Sequence, residues 1–216
     1  TKNMQVLVYG QWPGSSDNIK SFFTASYKES DKTPVAPRDL NSEIVFLFVG
    51  TFLPSKEPLY AVRLIEQLKK FGHNVSLSLF GDGNEMQHIR EYIHQNKLQD
   101  YIKPEGNQNQ QTIKEAYQKS HFVILPSQSE GWPKVIAEGM FWGCVPIATA
   151  VSCLEYMLDH GNRGLLLKMN LEQDAQQIIA LLKNPGAYKD KALNSIEWSR
   201  KYTLDLFENE IKALIS

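Results

Sequence analysis

The chain has 216 residues, of which 42% are hydrophobic, so one large domain, or one domain and a piece of another, can bury a sizeable core. A net charge of −1 gives no electrostatic reason to expect nucleic acid or an anionic membrane surface as a partner. The longest apolar runs are far too short to cross a bilayer, and two cysteines make no disulfide framework, which favours a reducing, cytoplasmic compartment.

The first 42 residues are the least regular part of the sequence. A short β-prone stretch at 4–9 is followed by a loop at 11–17 and by residues 19–27, which fit either a short helix or an extended segment. Residues 28–42 are polar, contain two prolines and read as a linker. We interpret residues 1–42 as the end of a preceding N-terminal domain and its linker, and we expect the chain to be a piece of a longer protein.

Residues 43–216 alternate between strand and helix patterns. Short apolar runs predict strands at 44–49, 75–80, 101–103, 122–125, 145–148 and 164–167. Longer periodic segments predict helices at 58–71, 85–95, 110–120, 134–142, 154–159, 171–182, 188–199 and 203–215. The alternation predicts an α/β fold, a Rossmann-like parallel sheet with helices on both faces.

The stretch at 124–149 combines a buried strand, a polar loop, a helix and a second buried strand. Glu130 and Glu138 bracket the start of the helix, and Pro133 suits its first turn. A helix beginning there offers free N–H groups and a positive dipole end to a phosphate, at the sheet edge where such folds bind ligands. Two other interpretations of the two glutamates stay open. Acidic residues favour helix starts because of the dipole alone, and paired carboxylates also occur in glycosidases.

Other motifs bear on which class of protein this is and on which kind of site it contains. Gly81 and Gly83 follow a strand, but Met86 stands where a dinucleotide fingerprint needs a third glycine, so we read them as a turn and disfavour an NAD enzyme. The histidines form no HExxH or Cys/His pattern, so no metal site is predicted. Considered alone, Lys56 would be interpreted as a solvated lysine. Because Glu130 is expected on another loop at the same sheet edge, Lys56 is a candidate phosphate ligand.

Three sequence elements then carry a resemblance to a known family. They are EGWP at 130–133, EGM at 138–140 and GCVPIAT at 143–149. Together they resemble the E-x7-E signature of retaining glycosyltransferases of family four (group 1), which have the GT-B fold. The resemblance extends to DHGNRGLL at 159–166 and covers about residues 44–215. It implies that the chain is the nucleotide-sugar-binding C-terminal half of such a fold.

The resemblance also implies roles for individual residues. Glu130 would be the catalytic residue near the transferred sugar, and Glu138 would hold the ribose of the donor. The donor-binding residues that it implies are Gly50, Thr51, Lys56, Gly131, Trp132, Pro133, Lys134 and Glu138. No metal cofactor is implied, because a lysine and helix-end amides can stabilise a leaving diphosphate.

Two departures from the family pattern stand out. Thr51 occupies a position where many members have arginine, and Arg163 or Lys134 are the candidates to replace that charge. A glycine-rich stretch of the family is replaced here by SCLEY at 152–156, which changes the loop beside the predicted donor site.

These observations favour the donor-binding domain of a glycosyltransferase. The intact enzyme would transfer a sugar from a nucleoside diphosphate sugar with retention, in polysaccharide or glycolipid synthesis, and this chain would be inactive alone. Its partners would be the donor and the missing N-terminal domain, and peripheral membrane association of the full-length enzyme is left open. The alternatives are a non-catalytic nucleotide-sugar-binding domain and a GT-B sugar-nucleotide epimerase.

Overall fold

The computed structural model describes residues 5–10 and 16–215. The described residues form strands β1 (Val6–Tyr9), β2 (Ile19–Phe22), β3 (Ile44–Val49), β4 (Val75–Phe80), β5 (Ile102–Gly106), β6 (Phe122–Leu125), β7 (Val145–Thr149) and β8 (Leu165–Leu167). The helices are α1 (Pro58–Lys70), α2 (Met86–Gln95), α3 (Gln110–Lys119), α4 (Lys134–Phe141), α5 (Leu154–Met157), α6 (Leu171–Leu182), α7 (Pro185–Ser199) and α8 (Leu204–Ile215). Single 3-10 turns lie at Glu29–Asp31, Pro54–Lys56 and Asp159–Gly161.

A parallel sheet of six strands, in the order β5-β4-β3-β6-β7-β8, forms the centre of the molecule. On one face the core contains side chains of β3, α1 and α6, including Phe46, Leu64 and Ile178. On the other face it contains side chains of β3, α3 and α4, including Leu47 and Tyr117. The predicted Rossmann-like sheet with helices on both faces is confirmed. The chain leaves β3 in one direction and later returns to β6 beside it, which makes this pair the topological switch point of the sheet.

Most predicted elements are found with small shifts in their ends. The bounds of β3, β4, β6 and α6 are those expected, whereas β5 runs further than 101–103. It continues through Lys103, Pro104 and Glu105, a polar run that an edge strand tolerates because one side of its backbone needs no partner. The helix predicted at 188–199 begins earlier, because Asn184 caps α7 and Pro185 fits its first position.

The N-terminal region contains a second, separate sheet of two strands. β1 and β2 pair in parallel, so the extended option for residues 19–27 is right for its first four residues. The predicted strand at 4–9 is found from Val6 onwards, while Met4 and most of the predicted loop at 11–17 lie outside the described residues.

The polar segment 28–42 is packed against the main domain. The guanidinium of Arg38 donates to the carbonyl oxygens of Tyr117 and Trp142 at 2.8 Å each, and to that of Gly143 at 2.8 Å. These carbonyls lie at the C-terminal ends of α3 and α4, where helices leave acceptors unsatisfied and carry partial negative charge. The segment predicted as a linker is therefore fixed along the domain. The domain boundary at 42 stays a prediction.

His121 fixes the same segment in its neutral form. Its Nδ1 accepts from the Val45 N–H at 3.1 Å, and its Nε2 lies 2.8 Å from the carbonyl oxygen of Asp39, so Nε2 carries the proton. Burial lowers the pKa of His121 from its usual value. Protonation would therefore oppose folding and remove the acceptor of the Val45 N–H.

We expect the His121 contribution to stability to be complete above pH 6.5, the ordinary histidine value, and to be lost as the pH falls through the lowered folded pKa. As the pH falls through that window, the free energy of unfolding of the wild type should decrease by up to about 1.4 kcal/mol per pH unit more than that of His121→Gln. The reason is that the wild type takes up one extra proton on unfolding. Urea denaturation between pH 5 and 8 measures the difference. His94→Gln, at an exposed position on α2, is the control and should follow the wild type; identical slopes for His121→Gln would contradict the prediction.

The glycine turn after β4 has a structural role. Gly81 has a φ of 133°, and a Cβ there would lie 1.8 Å from the carbonyl oxygen of Gly50. The Gly50 N–H donates to the carbonyl oxygen of Phe80 at 3.0 Å, so the ends of β3 and β4 meet through backbone atoms. This close approach explains why residue 81 is a glycine, and no dinucleotide-binding role is needed to explain it.

Candidate functional site

The switch point of the sheet holds an ion pair between two predicted site residues. Lys56 ends the 3-10 turn after β3, and Glu130 lies in the loop after β6. Lys56 Nζ lies 2.6 Å from Glu130 Oε1, and the two side chains are 26% and 8% exposed. The loops are also joined by backbone, because the Gln128 N–H donates to the Ser55 carbonyl oxygen at 2.8 Å. The structure thus brings a cation and a carboxylate together in the crevice where open parallel sheets bind ligands.

The start of α4 lies next to this pair. Lys134 is the first helical residue and Pro133 is the N-cap, so the proline stands one position before the first turn in which it was predicted. Within the described part of the chain, the N–H groups of Gly131 and Trp132 donate to no protein acceptor. Together with Lys56 and the positive end of the helix, these amides can bind an anion.

A groove runs along the carboxyl ends of β3, β4 and β5. It has a volume of about 420 Å³, and Gly50 and Thr51 line it together with Asp82, Asn107 and Gln108. Backbone and amide groups therefore converge there at one end of the switch-point crevice. Its size is that of an ordinary small-molecule site.

Glu138 has different neighbours. It is the fifth residue of α4, and its Oε1 accepts from Ser26 Oγ at 2.5 Å while its Oε2 accepts from Tyr117 Oη at 3.1 Å. Burial first, and the charge of Glu138 next, hold the pKa of Tyr117 well above its usual value, so this phenol stays a donor. No hydrogen bond among the described residues joins Glu138 to Glu130. The two carboxylates therefore occupy separate environments and do not form a facing pair.

The ring of Trp132 belongs to an aromatic cluster behind the loop, made up of Phe23, Trp132, Trp198 and Tyr202. Ring centroids lie 6.1 Å apart between Trp132 and Trp198, 5.5 Å between Trp132 and Tyr202, and 6.3 Å between Trp132 and Phe23. The indole Nε1 is buried and has no hydrogen-bond partner among the described residues. The side chain thus anchors the loop, which leaves the backbone of Trp132 as its candidate ligand group.

The segment after β7 supports the same loop from another side. Cys153 Sγ donates to the carbonyl oxygen of Gly131 at 2.9 Å, and burial raises the pKa of this thiol to about 11, so the donor proton is retained at neutral pH. Ser152 has a φ of 51°, a left-handed conformation that is uncommon for residues other than glycine. The SCLEY segment therefore makes a tight turn and places a thiol contact on the loop that contains Glu130.

The two candidates for replacing the family arginine differ. Arg163 donates to the carbonyl oxygens of Tyr156 and Met157 at 3.2 and 3.1 Å, so its guanidinium is engaged at the end of α5. Lys134 is exposed at the first position of α4 and has no ion pair with any described residue. Of the two, Lys134 is the one placed to meet a ligand at the start of α4.

Several contacts of this site carry no recognisable sequence signal, namely those of Ser26, Tyr117 and Cys153. In residues 5–10 and 16–215, no three or more His, Cys, Asp and Glu side chains are grouped as a metal site would require. No helix in those ranges has the length and apolar character needed to cross a membrane.

Known structures with the same fold include proteins that were solved with UDP or UDP-glucose. The crystal structure of Anabaena Alr3699/HepE in complex with UDP-glucose matches with a TM-score of 0.80 at 17% identity, over 98% of this chain and 63% of that one. An S. aureus TarM mutant, solved in complex with Fondaparinux, alpha-GlcNAc-glycerol and UDP, matches with a TM-score of 0.75 at 18% identity, over 92% of this chain and 40% of that one. At these identities the likeness shows the fold.

Sequence comparisons show the family. An uncharacterized glycosyltransferase of Methanocaldococcus jannaschii is 31% identical over 173 residues, which are 76% of this chain and 48% of that protein. A poly(glycerol-phosphate) alpha-glucosyltransferase of Bacillus subtilis is 22% identical over 88% of this chain and 28% of its own length. The chain thus spans half or less of these curated relatives. A family model described as glycosyl transferases group 1 matches residues 31–198. The chain therefore belongs to the glycosyl transferases group 1 family.

Proposed function

We propose that this chain is the donor-binding domain of an enzyme that transfers a sugar from a nucleoside diphosphate sugar. The observation that carries the proposal is the Lys56–Glu130 pair at the switch point, beside amides at the start of α4 that donate to no acceptor among the described residues. Positive charge and N–H donors stabilise the phosphates of a nucleoside diphosphate, and a carboxylate close by can accept from hydroxyls of the transferred sugar. Solved structures with this fold contain UDP or UDP-glucose, which supports a donor of the same class.

The charged residues and the two loop amides of the site have separate proposed tasks. Lys56 and the amides of Gly131 and Trp132 would neutralise the leaving diphosphate without a metal ion. Glu130 would contact the sugar at its reacting face, and Glu138 would accept from the ribose hydroxyls. Transfer would proceed with retention, as the E-x7-E resemblance implies.

The intact protein would need a further domain for its acceptor. We propose an N-terminal domain ahead of this chain, because the matched relatives are at least twice as long as the matched region. We propose a cytoplasmic setting on the two cysteines, which make no disulfide framework, and a role in polysaccharide or glycolipid synthesis on the resemblance. The named Bacillus relative is consistent with that role. Membrane association would then be peripheral.

Isothermal titration of the chain with UDP, GDP, ADP and CMP tests the proposal. We expect weak binding of UDP or GDP and none of CMP, because the Lys56 contact needs a diphosphate. Absence of heat with all four nucleotides would overturn the assignment of this domain. Labelled nucleotide sugars given to the full-length protein then separate transfer from binding alone and from epimerisation, which turns over the donor without an acceptor.

The two carboxylates should differ in their effect on nucleotide binding. Glu138→Ala should weaken UDP binding about tenfold or more, since a ribose contact to an ionised group is present without any sugar. Glu130→Ala should change UDP affinity less, because its partner in the donor is the sugar, which UDP lacks. Titration of both variants measures this, with Glu197→Ala on the exposed surface of α7 as control. Equal losses for the two variants would contradict the division of roles.

A further inference from the structure

The carboxylate of Glu138 is held by two hydroxyl groups from distant parts of the chain. Ser26 Oγ donates to Oε1 at 2.5 Å, and Tyr117 Oη donates to Oε2 at 3.1 Å. Ser26 is 112 residues away in sequence and belongs to the segment between β2 and the main domain. One donor on each oxygen fixes the direction of the carboxylate plane, which a solvated glutamate side chain would not keep.

Both donors are themselves anchored. Tyr117 is fully buried, and its carbonyl oxygen accepts from Arg38 at 2.8 Å, so its ring cannot follow a moving carboxylate. Ser26 precedes Tyr27, whose carbonyl oxygen accepts from the Leu204 N–H at 2.8 Å and whose ring lies 4.9 Å from that of Phe141. The hydroxyl of Ser26 is therefore held against α4 from outside the sheet.

The two donors do not exhaust the carboxylate. An ionised glutamate has two oxygens with about four acceptor sites, and the protein hydroxyls take one on each oxygen. One site remains on each oxygen for a further donor. This is the arrangement needed to accept from the two neighbouring hydroxyls of a ribose, and Glu138 remains partly exposed on α4.

We propose that Ser26 and Tyr117 are positioning residues that orient Glu138 for the ribose hydroxyls of the nucleotide. This inference rests on the proposed function, because it takes the ribose contact of Glu138 as given. It adds that the segment preceding the sheet, outside the six-stranded core, contributes to nucleotide selectivity.

The test compares UDP with 2′,3′-dideoxy-UDP, which lacks both ribose hydroxyls. Titration calorimetry is run on the wild type, Ser26→Ala, Ser26→Thr and Tyr117→Phe, with melting temperatures to confirm folding. We expect the wild type to prefer UDP about tenfold or more. Ser26→Ala and Tyr117→Phe should lose most of that preference while binding the dideoxy nucleotide as the wild type does. Ser26→Thr keeps the hydroxyl and should restore the preference.

Each outcome identifies what has failed. If the wild type prefers UDP and Ser26→Ala and Tyr117→Phe keep that preference in full, the positioning roles are overturned while the proposed function stands. If both variants weaken the two nucleotides equally, their hydroxyls serve only the fold, and the proposal is again overturned. If the wild type binds UDP and the dideoxy nucleotide equally, the ribose assignment of Glu138 falls, and this inference falls with it. If GDP is the nucleotide that binds, the guanosine pair replaces the uridine pair.

Discussion

Lys56→Met should lower the affinity for UDP by about 10- to 100-fold, because a charge-assisted contact to an ionised group contributes about 1.5–3 kcal/mol. Lys56 is the cation of the ion pair at the switch point, and Thr51 supplies no charge at the position where the resemblance implies an arginine in many family members. Methionine keeps much of the length of the side chain and removes only its charge and donors. Calorimetric titration of the variant with UDP measures the loss.

The same substitution also leaves the largely buried Glu130 without its cation, so stability must be separated from binding. We expect Lys56→Met to destabilise the fold by about 1–3 kcal/mol, and the double variant with Glu130→Gln to recover most of that loss. The double variant should still bind UDP more weakly than the wild type does. Lys70→Met is the matched control, since Lys70 forms a 2.6 Å ion pair with Glu66 on α1. Unchanged UDP affinity in Lys56→Met would remove the lysine from the phosphate site.

Gly81→Ala should destabilise the fold by about 3 kcal/mol or more. Two costs combine: the left-handed conformation of Gly81, and the clash of a new Cβ 1.8 Å from the carbonyl oxygen of Gly50. Backbone cannot move aside there without separating the ends of β3 and β4. The midpoint of urea denaturation, compared with that of the wild type, measures the loss.

Gly72→Ala separates the two costs. Gly72 also has a positive φ, of 85°, but a Cβ there would meet no atom of the described residues within 4 Å. This control should lose only about 1–2 kcal/mol, the conformational part. Equal losses for the two variants would show that the close approach of Gly81 to Gly50 contributes nothing, and the structural role assigned to the glycine turn would then be wrong.

Much of the fold could be predicted because its signals are local. The strands β3 and β6 are apolar runs buried on both faces, and the helices between strands show their own periodicity. Once a parallel sheet is inferred, the loops after β3 and β6 must open at the same edge. The meeting of Lys56 with Glu130 then follows from topology, although its 2.6 Å geometry does not.

The remaining features depend on contacts between segments far apart in sequence. Ser26 reaches Glu138, and Arg38 reaches the ends of α3 and α4, with separations of roughly 80 to 110 residues that follow no periodicity. The polar composition of segment 28–42 predicts a linker, yet the guanidinium of Arg38 in this segment satisfies carbonyl oxygens at the ends of two helices. The edge strand β5 runs further than the predicted 101–103. Its last residues are not apolar, so a prediction from apolar runs does not include them.

The central claim is that the carboxyl edge of the sheet at β3 and β6 binds a nucleoside diphosphate. A titration of the isotope-labelled chain with UDP, followed residue by residue through amide NMR shifts, tests it most directly. The predicted result is that the largest shifts fall in the loops at 50–56 and 128–134, with little change in α2 or α6. Shifts confined to other surfaces, or none at millimolar UDP, would contradict the claim.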